Sequence, residues 1–533
     1  MSPDEMINVI QDIDTDSLDG KTPLLIEDES PDLTIPRLCE VLAAAEDLFD
    51  RGGPVRLVFD HEQGGFVAHP LTAKIVAYIA HQMSRPFRLK KKRDGTLIAV
   101  NVALPDRLAQ TYLDLRGEWG LRHLVGIASA PLLGPNGTIH CHVGYHASTK
   151  MWCENVPDVR ALVRERPTRA DAEAALRRLR HFYRTLCFAD AETTLVLDHE
   201  VLVVDIEKPP GADESAFLCG LLTAVCRPSL DHAPGLMLTG AHISGAGTGK
   251  GLAARCICMI AFGRHPGAIT GGRNIHELEK RIASELISGG PVLLLDNINN
   301  QTLRSDLLAS VLTESPARIR VLGESRTVAL NTQAFIVLTG NALTVSEDLI
   351  RRFLEVSFDA RVEHPEGRRF EIGLLAETER MRSELLAACL TIWRWGQLAD
   401  RAEIPRGAPL GSFSRWTTWV RDPLLALGCK DPVARMAGAK NADIERVSIA
   451  ALFAAWRERH QDRAIELSDL HPEIAALAVG EGGSRQALAA AVRRLVNVRM
   501  AGMMLTCGNA GGKWAINRYR LVLTDASAAG MGA

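Results

Sequence analysis

SGAGTGKG, residues 244–251, has the glycine spacing and lysine of a phosphate-binding loop, yet two positions of the full G-x-x-x-x-G-K-[ST] pattern are changed. Ser244 stands where the first glycine belongs. Gly251 replaces the hydroxyl residue that would help hold magnesium. The flanks decide how the stretch is read. GLMLTG (235–240) is a predicted strand, and KGLAARCICMIAF (250–262) is a predicted helix that Gly263 stops. A strand, a glycine loop and a helix in that order aim backbone N–H groups and a helix dipole at one point, where a phosphate binds. The predicted nucleotide loop is Ser244, Gly245, Ala246, Gly247, Thr248, Gly249, Lys250 and Gly251, with Lys250 reaching the β and γ phosphates.

Downstream segments supply the rest of such a site. PVLLLDN (291–297) is a continuous apolar run, the pattern of a buried parallel strand, and it delivers Asp296 to a sheet edge as a magnesium ligand. QAFIVLTGN (333–341) is a second such strand ending in Asn341, and SEDLIRRF (346–353) carries Arg351 and Arg352. Singly these read as a capping Asp, a turn Asn and a solvated arginine pair. In this order they predict an α/β fold with a P-loop NTPase core that binds a nucleotide and Mg2+.

Residues 235–425 resemble the AAA+ ATPase core of replicative helicases carried by prophages and integrative elements, related to superfamily 3 and to poxvirus and phage primase-helicases. GAGTGKG, VLLLDN, VLGESRTVALNT and LTGNALTVSEDLIRRFLEVSFDAR carry the resemblance. The segments LVGIASAPLLGPNGTIHCHVGYHASTKMW and PLGSFSRWTTWVRDPLLALG resemble stretches that flank such cores. The likeness implies an ATP-driven DNA helicase or replication-initiation ATPase of a mobile element, assembled as a homo-hexamer and working with other replication proteins of the element or its host. It assigns catalytic roles to Lys250, Asp296, Asn297, Asn341, Arg351 and Arg352: Asn341 would orient water, and the arginine pair would supply a finger to a neighbouring subunit. ARIRVLGESRTVALN (317–331) reads as a hairpin turning at Gly323. The likeness places it in the central pore, with Arg318, Arg320 and Arg326 on DNA phosphates. Two residues depart from the family pattern. Gly251 cannot ligate a metal, and Asn297 stands where many AAA+ proteins have an acidic general base. A switch that binds ATP and DNA but hydrolyses slowly therefore stays open, as does a DNA-binding protein with a vestigial loop.

The C-terminal stretch points to DNA on its own terms. From Ser484 to Arg520 there is no Asp or Glu, against seven basic residues: Arg485, Arg493, Arg494, Arg499, Lys513, Arg518 and Arg520. Ser484 is a predicted cap for a helix over 484–497. Its wheel buries Leu488, Val492 and Leu495 and leaves Gln486, Ala490, Arg493 and Asn497 outside. Two strands around a Gly-rich turn at Lys513 would form a wing, and helices at 448–459 and 467–478 complete a winged helix-turn-helix pattern. Gln486, Arg493 and Asn497 are expected at bases, and Arg494 and Lys513 at phosphates. The same pattern also serves protein docking.

The remaining organisation follows from composition. The chain has 533 residues, 47% hydrophobic and 23% charged, with net charge −3. It is long enough for several domains. The expected order is an acidic, disordered tail (1–33), an α+β domain of unread role (34–155), a helical region (156–230), the ATPase core with a helical lid (231–430), a linker (431–446) and the winged helix (447–523). No apolar run approaches a membrane span, the N-terminus is unlike a signal peptide, and the eleven cysteines form no CxxC pair. A cytoplasmic protein with no membrane partner is expected. His140, Cys141, His142 and His146 lack a second ligand pair at zinc spacing and read as a strand that happens to carry histidines.

Overall fold

A computed structural model describes residues 21–524 apart from 28, 95–96, 197–200, 241–245, 272–273, 300–301, 322–325, 363, 369–372, 401, 437–443, 481–483 and 510–516. Most of the expected acidic tail, together with Ser244, Gly245, Gly323 and Lys513, lies outside the described residues. The chain is mixed α/β and divides into two compact units, one ending at Val433 and one starting at Ala434. Among the described residues no helix is long and apolar enough to cross a membrane.

The centre of the first unit is a five-stranded parallel sheet. Its spatial order is Ala268–Thr270, Val292–Asp296, Phe335–Asn341, Gly235–Gly240, Phe353–Phe358. The two long apolar runs become its central strands because a parallel sheet covered on both faces buries every side chain. Leu236, Leu238, Leu294, Leu295, Val337 and Leu338 are all buried. Chain order and spatial order differ. The strand before the glycine loop lies beside Phe335–Asn341, which separates it from the strand ending in Asp296. Parallel strands share one carboxyl edge, and at such an order reversal that edge opens a crevice.

Helices Ala212–Cys226 and Lys250–Phe262 pack together and carry buried apolar residues around most of their girth. The expected helical region at 156–230 is only partly so. Arg169–Tyr183 is a helix with a capping box at Thr168 and Asp171, but an antiparallel hairpin, Thr193–Val196 with Val201–Val204, intervenes before the next helix. Its β-branched run favours strand over helix. Helix Pro31–Ala43 ends well before Phe49, and Leu48–Asp50 is already a strand.

Among the described residues the N-terminal region carries four small sheets and its own apolar cluster around Leu38, Val76, Leu108 and Tyr112. Buried arginines tie it to the parallel-sheet core. Arg51 donates to the carbonyls of Leu286 and Ile287 at the end of helix Ile275–Ser288 and, on its own side, to Leu124. Burial lowers its pKa to about 10. Arg382 likewise joins Ile260, Asn155 and Ser129 through their carbonyls. A guanidinium with five fixed donors suits such carbonyl clusters.

The second unit packs helices Ile444–His460, Pro472–Val479 and Arg485–Leu495 against a three-stranded antiparallel sheet, Arg499–Met500, Met503–Asn509 and Asn517–Leu523. Phe453, Trp456, Ile474, Val492, Leu505 and Tyr519 form its core.

Candidate functional site

The carboxyl ends of three adjacent strands bring the predicted residues together. Gly240 leads into the glycine loop and pairs with Asn341 at the end of the neighbouring strand. Asp296 ends the next strand over. Gly247 and Gly249 have φ of +71° and +92°, backbone angles that suit glycine. At Gly247 space is limiting too, since a Cβ there would lie 2.9 Å from the backbone nitrogen of Glu366. Ala246 and Gly247 are exposed, Thr248 is buried, and Lys250 begins the helix.

Lys250 Nζ donates to Thr248 Oγ1 at 3.1 Å. Burial lowers its ammonium pKa, while the neighbouring Cys187 and Asp296 act in the opposite sense. The Cys187 thiol donates to the Thr248 carbonyl at 3.0 Å, which ties the loop to the segment before the 193–204 hairpin. Beside that contact lies a cleft of about 490 Å3, lined by Leu186, Phe188, Leu202, Val204, Arg361 and Arg368 among others.

Asp296 is held in place. Its Oδ1 accepts from the Thr339 hydroxyl and, at 3.1 Å, from the Asn297 amide. Its Oδ2 stands 3.7 Å from Arg255 Nη2. Asn297 reaches this position through a left-handed backbone, φ +59°, which asparagine tolerates. Its contribution here is a backbone N–H, and its side chain is exposed. The Asn341 amide donates to Asn299 Oδ1 at 2.7 Å, while Asn341 Oδ1 is buried with no hydrogen-bond partner among the described residues. Sequence reasoning missed Thr339, Asn299 and Arg255. Thr339 reads as strand filler and Arg255 as an ordinary helix residue until the tertiary contacts exist.

The donor set fits magnesium held by few protein atoms. Mg2+ commonly takes one or two carboxylates and completes its shell with phosphate oxygens and water. Asp296 Oδ2 is the available carboxylate oxygen, and Gly251 adds none.

The structure distinguishes the two arginines of 351–352. Arg351 is 59% exposed and pairs with Asp348 at 2.8 Å. Arg352 is 14% exposed and donates to both the carboxylate and the carbonyl of Asp348. The hairpin of Ala317–Arg320 and Thr327–Leu330 turns Ile319, Val328 and Leu330 into the core and leaves Arg318 and Arg320 exposed on its other face. Arg326 is also exposed and passes 3.7 Å from where a Cβ on Gly53 would lie.

In the second unit Ser484 caps the helix by accepting from the Ala487 amide at 3.2 Å. Gln486, Ala490 and Arg493 are exposed along it, as is Arg494. The helix stops at Leu495, so Asn497 is not on its outer face. It has φ +66° in the following turn, and its amide donates to the Leu505 carbonyl. Arg518 and Arg520 pair with Glu466 and Asp462 at 3.2 and 3.1 Å, which removes two cations from the expected basic surface. Exposed Arg485, Arg493, Arg494 and Arg499 remain.

No family model matches the chain, and no curated protein matches it. Among solved structures, it is similar to one described as the A form apo structure of the NrS-1 C-terminal region. The identity is 11% and the TM-score 0.33, over 88% of this chain and 96% of that one. A likeness of that size leaves the site itself to carry the functional reading.

Proposed function

We propose that the first unit is an ATPase with a P-loop, AAA+-like core, and that the protein is a DNA helicase or replication-initiation ATPase of a mobile genetic element. The observation that carries the reading is the convergence of the glycine loop, Asp296 and Asn341 at one edge of a parallel sheet whose strand order reverses there. The nucleoside takes the 490 Å3 cleft beside Cys187, a volume within the usual range of small-molecule sites. The loop N–H groups and Lys250 hold the phosphates. Asp296 holds Mg2+, which when bound supplies Lewis-acid stabilisation of phosphate charge.

Asn341 orients the attacking water, and its unpartnered oxygen accounts for a polar atom that would otherwise be costly to bury. Arg351, the more exposed of its pair, reaches the γ-phosphate of a neighbouring subunit in a homo-hexameric ring. Arg318, Arg320 and Arg326 meet DNA phosphates. The second unit is a winged helix that adds duplex contacts through Gln486, Arg493 and Arg494 on its exposed helix face. Other replication proteins of the element or host are its further partners.

A second reading is favoured by Gly251 and by the exposed amide of Asn297 in place of an acid: an ATP-binding, DNA-binding switch with slow hydrolysis. Lys250→Ala is expected to weaken ATP binding by about tenfold to a hundredfold, the loss of one or two charge-assisted contacts. Strand displacement on a forked duplex with ATP then separates the two. A motor unwinds it; a switch binds ATP and DNA and leaves the fork intact. Unchanged ATP affinity in a folded Lys250→Ala protein defeats both.

A further inference from the structure

Gly251 and Arg255 are four residues apart on helix Lys250–Phe262, so their positions lie on one face. Arg255 closes in on the space that the glycine leaves. A Cβ at 251 would lie 3.2 Å from Arg255 Nη1, and Nη2 of the same guanidinium stands 3.7 Å from Asp296 Oδ2. The other carboxylate oxygen is engaged by Thr339 and Asn297. A permanent cation thus faces the one oxygen of Asp296 left for a metal, next to the position where a hydroxyl ligand is missing.

We propose that Arg255 is the resident cation of the nucleotide site, competing with the divalent metal at Asp296 and supplying positive charge to the phosphates in its absence. This rests on reading 244–251 as a nucleotide loop. Two consequences share one cause. A metal arriving at Oδ2 meets a like charge, so it binds less well. A nucleotide arriving without metal still meets Lys250 and Arg255, so it binds better than it would to a loop with lysine alone. Arg255 is 40% exposed on its side chain, so it has room to swing toward solvent when metal enters, and the relation is competition, not exclusion. The mutual spacing also makes Gly251 and Arg255 a pair: a side chain at 251 would push the guanidinium off Asp296.

Equilibrium binding of a non-hydrolysable ATP analogue tests this on the full chain without any activity measurement. Wild type, Arg255→Ala and Arg255→Lys are each titrated in EDTA and in excess Mg2+, with circular dichroism to verify folding. Wild type is expected to bind in EDTA to within a few-fold of its affinity in Mg2+. Arg255→Ala should lose about tenfold in EDTA, the size of one charge-assisted contact, and recover most of it in Mg2+. Arg255→Lys, which keeps the charge, should stay close to wild type in EDTA. An equal, large gain from Mg2+ in wild type and Arg255→Ala overturns the role of Arg255 and leaves the nucleotide site standing. Absence of binding by folded wild type in both conditions overturns the nucleotide loop and this proposal together.

Discussion

Thr339→Val tests whether Asp296 works because its neighbours fix it. Thr339 is 2% exposed, lies mid-strand beside the Val292–Asp296 strand, and gives its hydroxyl proton to Asp296 Oδ1. Valine keeps the shape and the β-branching, so the substitution removes a donor and leaves little cavity. A hydrogen bond to an ionised group contributes roughly 1.5–3 kcal/mol. The Asp296 side chain is 14% exposed and retains the Asn297 amide at 3.1 Å, so water and that amide compensate in part. The expected loss of stability is therefore near the lower end, about 1.5 kcal/mol. The functional effect should be larger and selective. Among the described residues Thr339 makes no hydrogen bond to the glycine loop, so ATP affinity should hold within about twofold while hydrolysis falls by roughly tenfold or more, the signature of a lost positioning contact. Asp296→Asn should abolish hydrolysis, and adding Thr339→Val to it should cost almost nothing further, because both act through one carboxylate. The measurements are a urea titration, nucleotide binding and phosphate release. Wild-type hydrolysis by Thr339→Val, or parallel loss of binding and hydrolysis, refutes the reasoning.

Arg351→Ala should reduce hydrolysis while leaving thermal stability unchanged, whereas Arg352→Ala should destabilise the first unit, because Arg352 is the more buried partner of Asp348; mixing Arg351→Ala with Lys250→Ala protein should restore activity at mixed interfaces, and full activity in a proven monomer would rule out the finger. Arg493→Ala should relax DNA sequence preference at a cost of about 1–3 kcal/mol on a preferred site, while Arg494→Ala should weaken all sequences alike and lower the salt slope by about one, both read by gel shift across a salt series; DNA affinity indifferent to salt and to both changes would leave protein docking as the role of the second unit. His460 accepts the His471 amide on Nε2 at 3.1 Å and packs against Trp456, and burial and His471 lower its pKa below the ordinary 6.5. A base with a depressed folded pKa stabilises the fold above its unfolded value and loses that contribution as pH falls, so the second unit should weaken below about pH 6.5; hydrogen exchange in 444–523 that does not quicken between pH 7 and 5.5, after correction for the intrinsic rate, would count against it.

Local signals made the phosphate-loop region legible. Glycines punctuate it at both ends, and the helix runs from Lys250 to Phe262 with Gly263 in a left-handed cap, where the sequence pattern stops it. The apolar runs at 291–297 and 333–341 are short and bounded by turn residues, which marks them as strands and sets them apart from the longer buried helices such as Ala212–Cys226. What escaped was set by tertiary contact or by a local signal read at the wrong period. The 193–204 hairpin was hidden by helical patterning on either side, although TTLV and VLVV are β-branched enough to mark it. Asn497 fits a helical wheel, but the chain turns at Val496 to start the sheet, and a wheel cannot register that. Arg518 and Arg520 seem free in an acid-free stretch until a loop more than 50 residues earlier delivers Glu466 and Asp462 to them.

The same distinction bears on motor versus switch. The residues proposed to bind phosphate sit on one continuous segment, so a sequence reads them together. The residues proposed to set hydrolysis lie on two strands and on the helix after the loop, and their meaning changes with their partners. Asp296 read alone is a metal ligand. Asp296 held by Thr339 and Asn297 and faced by Arg255 is a carboxylate with one oxygen committed and the other contested. Asn297 read alone replaces a base, but its left-handed backbone turns its N–H toward Asp296, so its conformation supports the carboxylate whatever its side chain does. On the proposed reading, rate at this site depends on how readily Arg255 gives way and on how Asn341 holds a water. Both act at the carboxyl edge of the sheet, and the first depends on Gly251, the last residue of the glycine loop, which leaves the guanidinium its room.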